Sequence, residues 1–211
     1  MSLLRPQSRA RECCTVGVFR AGWLCPLAVY LICAGPASAQ QILSEVRLGV
    51  LAHDVPVLGT QKEHGADING ELLFVSPISD DLVAGVTPAL RWILVPRPNI
   101  GGDVNTAGDT SQLYLGVTWT ATLFEDLTRQ GDSVFLGIGL GPAFNNGYDL
   151  APDDSRKSLG SHVLFHYSLD LGYRFDSRYS ASVYIEHSSN AGLARENQGL
   201  TNAGLRVGLA F

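Results

Sequence analysis

The sequence predicts an all-β fold: eight antiparallel strands closed into a transmembrane β-barrel of the outer membrane. Three observations lead there. From residue 42 onward, apolar residues recur at every second position, the period of a strand and not the 3.6 of a helix. No stretch after residue 40 approaches the ~20 unbroken apolar residues of a membrane helix, which excludes a helical membrane protein. Yet only 17% of the 211 residues are charged and 45% are hydrophobic, whereas soluble chains carry about 25% charged residues. A chain this apolar, alternating and without helical spans fits a membrane as a barrel.

The barrel is expected over 40–211. In the first 39 residues Arg5, Arg9, Arg11 and Arg20 precede an apolar core from Trp23 to Ala34, and Ala37-Ser38-Ala39 follows. A basic flank, a short apolar core and small residues at −3 and −1 make a secretory signal peptide, cut after Ala39. The long basic flank leaves room for a translation start further downstream. All four cysteines (Cys13, Cys14, Cys25, Cys33) lie in this segment. The exported domain therefore relies on no disulfide and has no thiol nucleophile. The net charge of −5 and the lack of a Lys/Arg-rich run exclude nucleic acid as a partner.

The strands follow in order. Weaker alternation marks 42–53, 67–76 and 82–95. Over 111–124, Leu113, Leu115, Val117, Trp119, Ala121 and Leu123 oppose Tyr114, Gly116, Thr118, Thr120 and Thr122. In 133–144, Val134, Leu136, Ile138 and Leu140 alternate with Gly137, Gly139 and Gly141. Segment 161–175 sets Val163, Phe165, Tyr167, Leu169, Leu171 and Tyr173 against His162, His166, Ser168, Asp170 and Arg174. A weaker strand covers 179–190. The last, 201–211, sets Thr201, Ala203, Leu205, Val207, Leu209 and Phe211 against Asn202, Gly204, Arg206, Gly208 and Ala210.

The polar face of these strands is Gly, Ser, Thr, His and isolated charges, suited to a crowded barrel interior. The apolar face ends in aromatics (Trp92, Trp119, Tyr173, Phe175, Phe211), as membrane girdles do. Each segment has roughly the 9–11 residues of a tilted membrane strand. Long links at 54–66, 96–110, 145–160 and 191–200 read as outer loops. Links at 77–81 and 176–178 are short and that at 125–132 intermediate, as periplasmic turns are. An eight-stranded barrel is filled by side chains, so this is not a porin.

The chemically loaded stretch is Tyr184-Ile-Glu-His-Ser-Ser-Asn-Ala-Gly192. By alternation from Val183 and Ile185, His187 and Ser189 both point outward at the extracellular end of a lipid-facing strand. Residues i and i+2 share a face about 7 Å apart. A neutral imidazole there can take the proton of a serine hydroxyl and make it a nucleophile. A polar pair facing lipid is costly unless used, and the substrates within reach are lipids of the outer leaflet. The bland alternative is a pair of polar residues at headgroup depth, since one His-x-Ser has little specificity. His162 and His166 fall about 13 Å apart on the inward face, too far to share a metal, and read with Asp170 and Arg174 as an interior polar network. Asp80-Asp81 and Asp153-Asp154 read as solvated loop charges. The glycines of 137–141 sit inside a strand and are not a nucleotide loop.

The run Glu186-His-Ser-Ser-Asn-Ala-Gly-Leu193, then Asn197-x-Gly-Leu200, and the ending Gly204-Leu-Arg-Val-Gly-Leu-Ala-Phe211 resemble the C-terminal signature of the lipid A 3-O-deacylase family. That resemblance covers about the last 30 residues. It implies an eight-stranded outer-membrane esterase that removes the 3-hydroxyacyl chain at position 3 of lipid A, with water as co-substrate and without metal or cofactor. By position, Ser189 would be the nucleophile, His187 the general base, and Asn190 with the Gly192 N–H the oxyanion donors; Asn197 would shape the neighbouring loop. The family's acid falls at Thr201, which is a departure, because a hydroxyl cannot stabilise imidazolium with a charge. Glu186 has inward parity; Glu196, in the loop, is the candidate substitute acid.

Expected partners are lipid A/lipopolysaccharide and the barrel-assembly machinery, whose C-terminal signal the terminal Phe211 strand resembles; a homodimer is left open. Two other classes share the architecture: a non-catalytic structural or adhesive barrel, and a phospholipase or acyltransferase.

Overall fold

The computed structural model describes residues 42–211; the signal peptide expected over 1–39 lies outside the described residues. The strands are β1 (Leu43–Ala52), β2 (Ala66–Phe74), β3 (Arg97–Asn105), β4 (Gln112–Glu125), β5 (Ser133–Asn145), β6 (Val163–Arg174), β7 (Tyr179–Ser189) and β8 (Leu200–Ala210). They form one closed antiparallel barrel in chain order. Pairing of β1 with β8, from Glu45 opposite Ala210 to Ala52 opposite Ala203, closes the sheet. No edge is left with unpaired backbone groups, as a sheet in hydrocarbon requires.

Burial is inverted relative to a soluble protein. Leu48, Val50, Ile68, Val104, Val183, Leu205 and Val207 are more than half exposed, while Glu45, Arg47, Glu71, Asp170 and Arg206 are buried. The apolar belt faces lipid and the lumen is ionic. Arg47 of β1 donates to Asp170 of β6 across the lumen (2.9 Å) and to its neighbour Glu45 (2.8 Å). Arg206 of β8 donates to Glu71 of β2 (2.6 Å) and Asp170 (3.0 Å), with its guanidinium over the Tyr184 ring. Such ions persist out of water only because opposite charges and hydrogen bonds surround them. Side chains thus fill the barrel.

One expected strand is corrected. Residues 82–95 do not form the third strand: a 3-10 turn (Asp80–Val83) and a short helix, α1 (Pro88–Leu94), occupy that stretch. Pro88 at the first helical turn fits its fixed φ and missing N–H, and Leu90, Ile93 and Leu94 have helical, not alternating, spacing. The third strand is β3, within the stretch read as the loop 96–110. It resembles a loop because only Ile100 and Val104 mark its outward face, while Asn99, Asp103 and Asn105 are inward and buried. The connections shift accordingly. The outer link from β3 to β4 shrinks to 106–111, and the longest link, 75–96, lies at the inner end, where β1 begins and β8 ends. The 53–65, 146–162 and 190–199 links remain long and outer.

Candidate active site

At its outer end β7 alternates as its sequence demands. Ser188 points into the barrel and is fully buried, while His187 and Ser189 point outward. The His187 imidazole is nonetheless 8% exposed, because both neighbouring strands cover it. In the register, Tyr167 of β6 and Thr201 of β8 stand directly opposite. The Tyr167 ring lies 5.1 Å away, tilted by 40°. Thr201 Oγ1 is 2.7 Å from His187 Nδ1, so the hydroxyl at the position of the resembled family's acid meets the nitrogen an acid would meet. Gly199 completes the enclosure. Its φ is +62°, and a Cβ there would come within 2.8 Å of the imidazole Cε1, so only glycine supplies both the left-handed backbone and the space.

Ser189 lies half-buried opposite Phe165. Among the described residues its hydroxyl makes no hydrogen bond, to His187 included, and Nε2 of His187 has no hydrogen-bond partner either. Nucleophile and base candidates thus share one face with their reactive atoms uncommitted.

The following turn, with Ala191 at φ +54° and Gly192 at φ +78°, is built around Asn190. The Asn190 amide donates to the carbonyls of Leu159 (2.8 Å) and Glu196 (2.5 Å), and its Oδ1 accepts the Gly192 N–H (2.9 Å). Asn197 Oδ1 accepts the Asn190 N–H (3.0 Å). Both expected oxyanion donors are therefore engaged within the loop. Asn197 thereby ties the start of the turn to the rest of the loop. Glu196 contributes its backbone carbonyl; its carboxylate makes no contact with His187 among the described residues.

Beside Ser189 a groove of about 320 Å3 runs along the outer wall, bordered by Pro142, Val163, Phe165, Asn190, Leu193 and Ala194. Leu193 on its rim is 80% exposed. The lining is mostly apolar, with Asn190 and Ser161 as its polar members.

The outer loops are joined above the site by one carboxylate. Glu63 accepts from the Thr110 N–H (3.1 Å), the Arg156 side chain (3.0 Å), the Lys157 N–H (3.1 Å) and the His53 imidazole (3.1 Å). His53 also bonds Asp67 (2.8 Å). Burial alone would lower the His53 pKa, but these hydrogen bonds and charges outweigh it and raise it to about 9. Burial would raise that of Glu63; its hydrogen bonds bring it down to about 2. Lys157 pairs with Asp54 (2.7 Å), and Ser158 and Gln198 exchange two bonds between the β5–β6 and β7–β8 loops. A salt-linked cap therefore steadies the loop carrying Asn190.

Inside the barrel stands a second cluster. Glu186 accepts from Gln112 (2.7 Å), Asn202 (2.9 Å) and Tyr184 (3.0 Å). Ser188 donates to Gln112 (2.8 Å) and meets His166 Nδ1 (3.2 Å), and His166 stacks on Tyr114 at 4.2 Å. His162 lies outside β6 and is exposed.

The family described as "Lipid A 3-O-deacylase (PagL)" matches residues 84–210. The chain belongs to that family. The match takes in β3 to β8 and every candidate site residue. Among solved structures, the crystal structure of the outer membrane enzyme PagL is similar at 18% identity and a TM-score of 0.59, covering 80% of this chain and 100% of that one. The N-terminal β-barrel domain of Pseudomonas aeruginosa OprF is similar at 11% identity and a TM-score of 0.46, over 81% and 98%. No curated protein matches. Within the family's shared barrel, Tyr167 and Gly199 are the members of the His187 surround that residue-type reasoning missed. Only the strand register, which sets Tyr167 opposite His187, signals the first; the second needs the loop's φ.

Proposed function

We propose that this protein is an outer-membrane lipid A 3-O-deacylase in which Ser189 is the nucleophile and His187 its base. The observation that carries this reading is the 2.7 Å contact of His187 Nδ1 with Thr201, beside an uncommitted serine at the lipid-facing outer end of the barrel. With Nδ1–H donating to Thr201 Oγ1, Nε2 carries a lone pair and accepts the Ser189 proton. Ser189 Oγ attacks the ester carbonyl of the 3-hydroxyacyl chain, forming a tetrahedral oxyanion. Its collapse expels the sugar oxygen, which takes the proton from Nε2, and leaves an acyl-serine. Water, deprotonated by the same nitrogen, releases the 3-hydroxy fatty acid and restores the serine.

The groove of Val163, Phe165 and Leu193 accommodates the acyl chain by removing apolar surface from water. Asn190 and Gly192 serve the oxyanion if substrate draws their hydrogen bonds out of the loop; catalytic hydrogen bonds often tighten only in the complex. Thr201 is a positioning residue, since it orients the ring without a countercharge. Residual catalysis without the orienting acid is well precedented in triad enzymes.

Mass spectrometry of lipid A from cells expressing the intact protein or Ser189→Ala tests this. The expected result is loss of one 3-hydroxyacyl mass with the intact protein alone. Unchanged lipid A with both, in the membrane and again in detergent, would favour a non-catalytic barrel. Appearance of a second acylated product would indicate acyl transfer.

A further inference from the structure

The apolar belt has one departure from its strands, at the inner end. Trp119 points outward from β4, yet its indole N–H donates to the Ile93 carbonyl at 2.8 Å. Helix α1 therefore rests on the lipid side of the barrel wall and does not plug the lumen. Leu90, Ile93 and Leu94, at i, i+3 and i+4, form one helical face that is 55%, 46% and 44% exposed, and Leu82 of the preceding turn is 77% exposed. Leu123 and Phe124 at the inner end of β4 are exposed as well, and they border one groove with Trp92 and Val95 of the helix segment. Arg91 folds back on the carbonyls of Ala84 (3.4 Å) and Val86 (3.5 Å), fixing the turn against the helix. In water this much exposed apolar side chain would be a liability.

We propose that residues 80–94 form an in-plane membrane segment seated in the phospholipids of the inner leaflet. Two observations choose this occupant over a protein. The helix abuts the lipid-facing side of β4, through the Trp119 bond to Ile93 and the groove that Trp92 and Val95 share with Leu123 and Phe124. Its leucine face is also flanked by Trp92 and Trp119, the two tryptophans of the described chain, and tryptophan concentrates where hydrocarbon meets headgroups. A short helix with a leucine face lies about 5–10 Å into that boundary. The segment thereby widens the barrel's footprint in the inner leaflet on the β4 side alone. This inference rests on the barrel and not on the catalytic reading.

The test is a depth measurement on the protein purified from an expressing outer membrane and reconstituted in phosphatidylethanolamine/phosphatidylglycerol vesicles. Cys13, Cys14, Cys25 and Cys33 are replaced by serine, and a nitroxide is placed at Leu90→Cys or Ile93→Cys. Leu205→Cys on the belt and Leu150→Cys on an outer loop are the references, and only heat-modifiable, folded samples are measured. The expected result is that oxygen relaxes the labels at 90 and 93 more than a water-soluble nickel chelate does, as at 205. A preference for the nickel chelate, as at 150, would overturn the proposal by placing the face in water. Spin–spin broadening removed by diluting with unlabelled protein would overturn it in favour of a second copy.

Discussion

Two serine–histidine clusters lie back to back through the same stretch of wall, one facing lipid and one facing the lumen. Outside, Ser189 and His187 have uncommitted reactive atoms, with Thr201 as the only hydrogen-bond partner of the imidazole among the described residues. Inside, Ser188 is bonded to Gln112 and His166, and Glu186 stands 3.9 Å from the far nitrogen of His166. By composition the inner cluster is the better triad, since it has the carboxylate the outer one lacks. By access and commitment it is the worse one, because it is fully enclosed and its serine is already hydrogen-bonded. Ser188 and Ser189 differ by one position, and one position on a strand is a change of face. The proposed chemistry belongs to the face open to the substrate, whatever the residue inventory.

The sharpest way to break this comparison is to remove each serine in turn. Ser189→Ala is expected to lower lipid A hydrolysis by about 10^3-fold or more, as loss of a nucleophile does, with barrel stability unchanged. Ser188→Ala is expected to leave the rate per folded molecule intact. It costs about 1–3 kcal/mol in stability, because Gln112 Oε1 and His166 lose a buried partner. Lipid A mass spectrometry and heat-modifiable migration measure the two. A reversal would mean that the lumenal cluster is the active one.

Next in size is the lumenal ion network. Arg206→Met leaves Glu71 and Asp170 short of a cation, at a cost of about 3–5 kcal/mol. Thermal unfolding monitored by the loss of heat-modifiable migration would read this. Activity in the surviving folded fraction is expected to be normal, because the change lies behind the wall.

How much of this was legible in the sequence differs between wall and loops. Parity alone gave the outward facing of His187 and Ser189 and the inward facing of Glu186, His166 and Asp170, because a strand's side-chain period admits no other outcome once its burial is known. Parity failed at β3, whose inward face is Arg97, Asn99, Gly101, Asp103 and Asn105. A barrel interior of turn-forming residues cannot be told from a loop without its neighbours. It failed again at 82–95, whose apolar content belongs to a helix on the wall. In the site, Thr201 was reachable from the motif, but the engagement of Asn190 with Leu159 and Glu196 was not. Those bonds run from a loop to two separate backbone carbonyls, which no spacing encodes.

Thr201 offers a subtler test of the outer cluster. Thr201→Val keeps the shape and removes the hydrogen bond to Nδ1, so kcat is expected to fall about five- to tenfold, the value of one net hydrogen bond. Thr201→Glu is expected to equal or exceed the native rate, since a carboxylate would hold the imidazolium as Asp67 and Glu63 hold that of His53. Steady-state kinetics in detergent would measure both. A clear fall with glutamate would show that the residue opposite Nδ1 is not where the orienting group belongs.

The smallest effect expected at neutral pH concerns His53, the imidazole that has the carboxylates His187 lacks. Its pKa is raised from 6.5 to about 9, so the folded state binds its proton more tightly than the unfolded chain does. The stabilisation is fully present below about pH 6.5 and is lost as pH rises through about 9. Glu63, lowered to about 2, contributes with the opposite sign. Its share is complete above the ordinary carboxylate range and disappears only as pH falls towards 2. Hydrogen exchange in the 53–65 and 146–162 loops is therefore expected to be flat between pH 5 and 6.5, after correction for intrinsic rates, and to accelerate towards pH 10. His53→Gln should remove that alkaline acceleration by loosening the loops at every pH. Loops equally protected at pH 7 and pH 10 in the native protein would show that the cap is held by Lys157–Asp54 and the Ser158–Gln198 exchange, with the imidazolium a bystander.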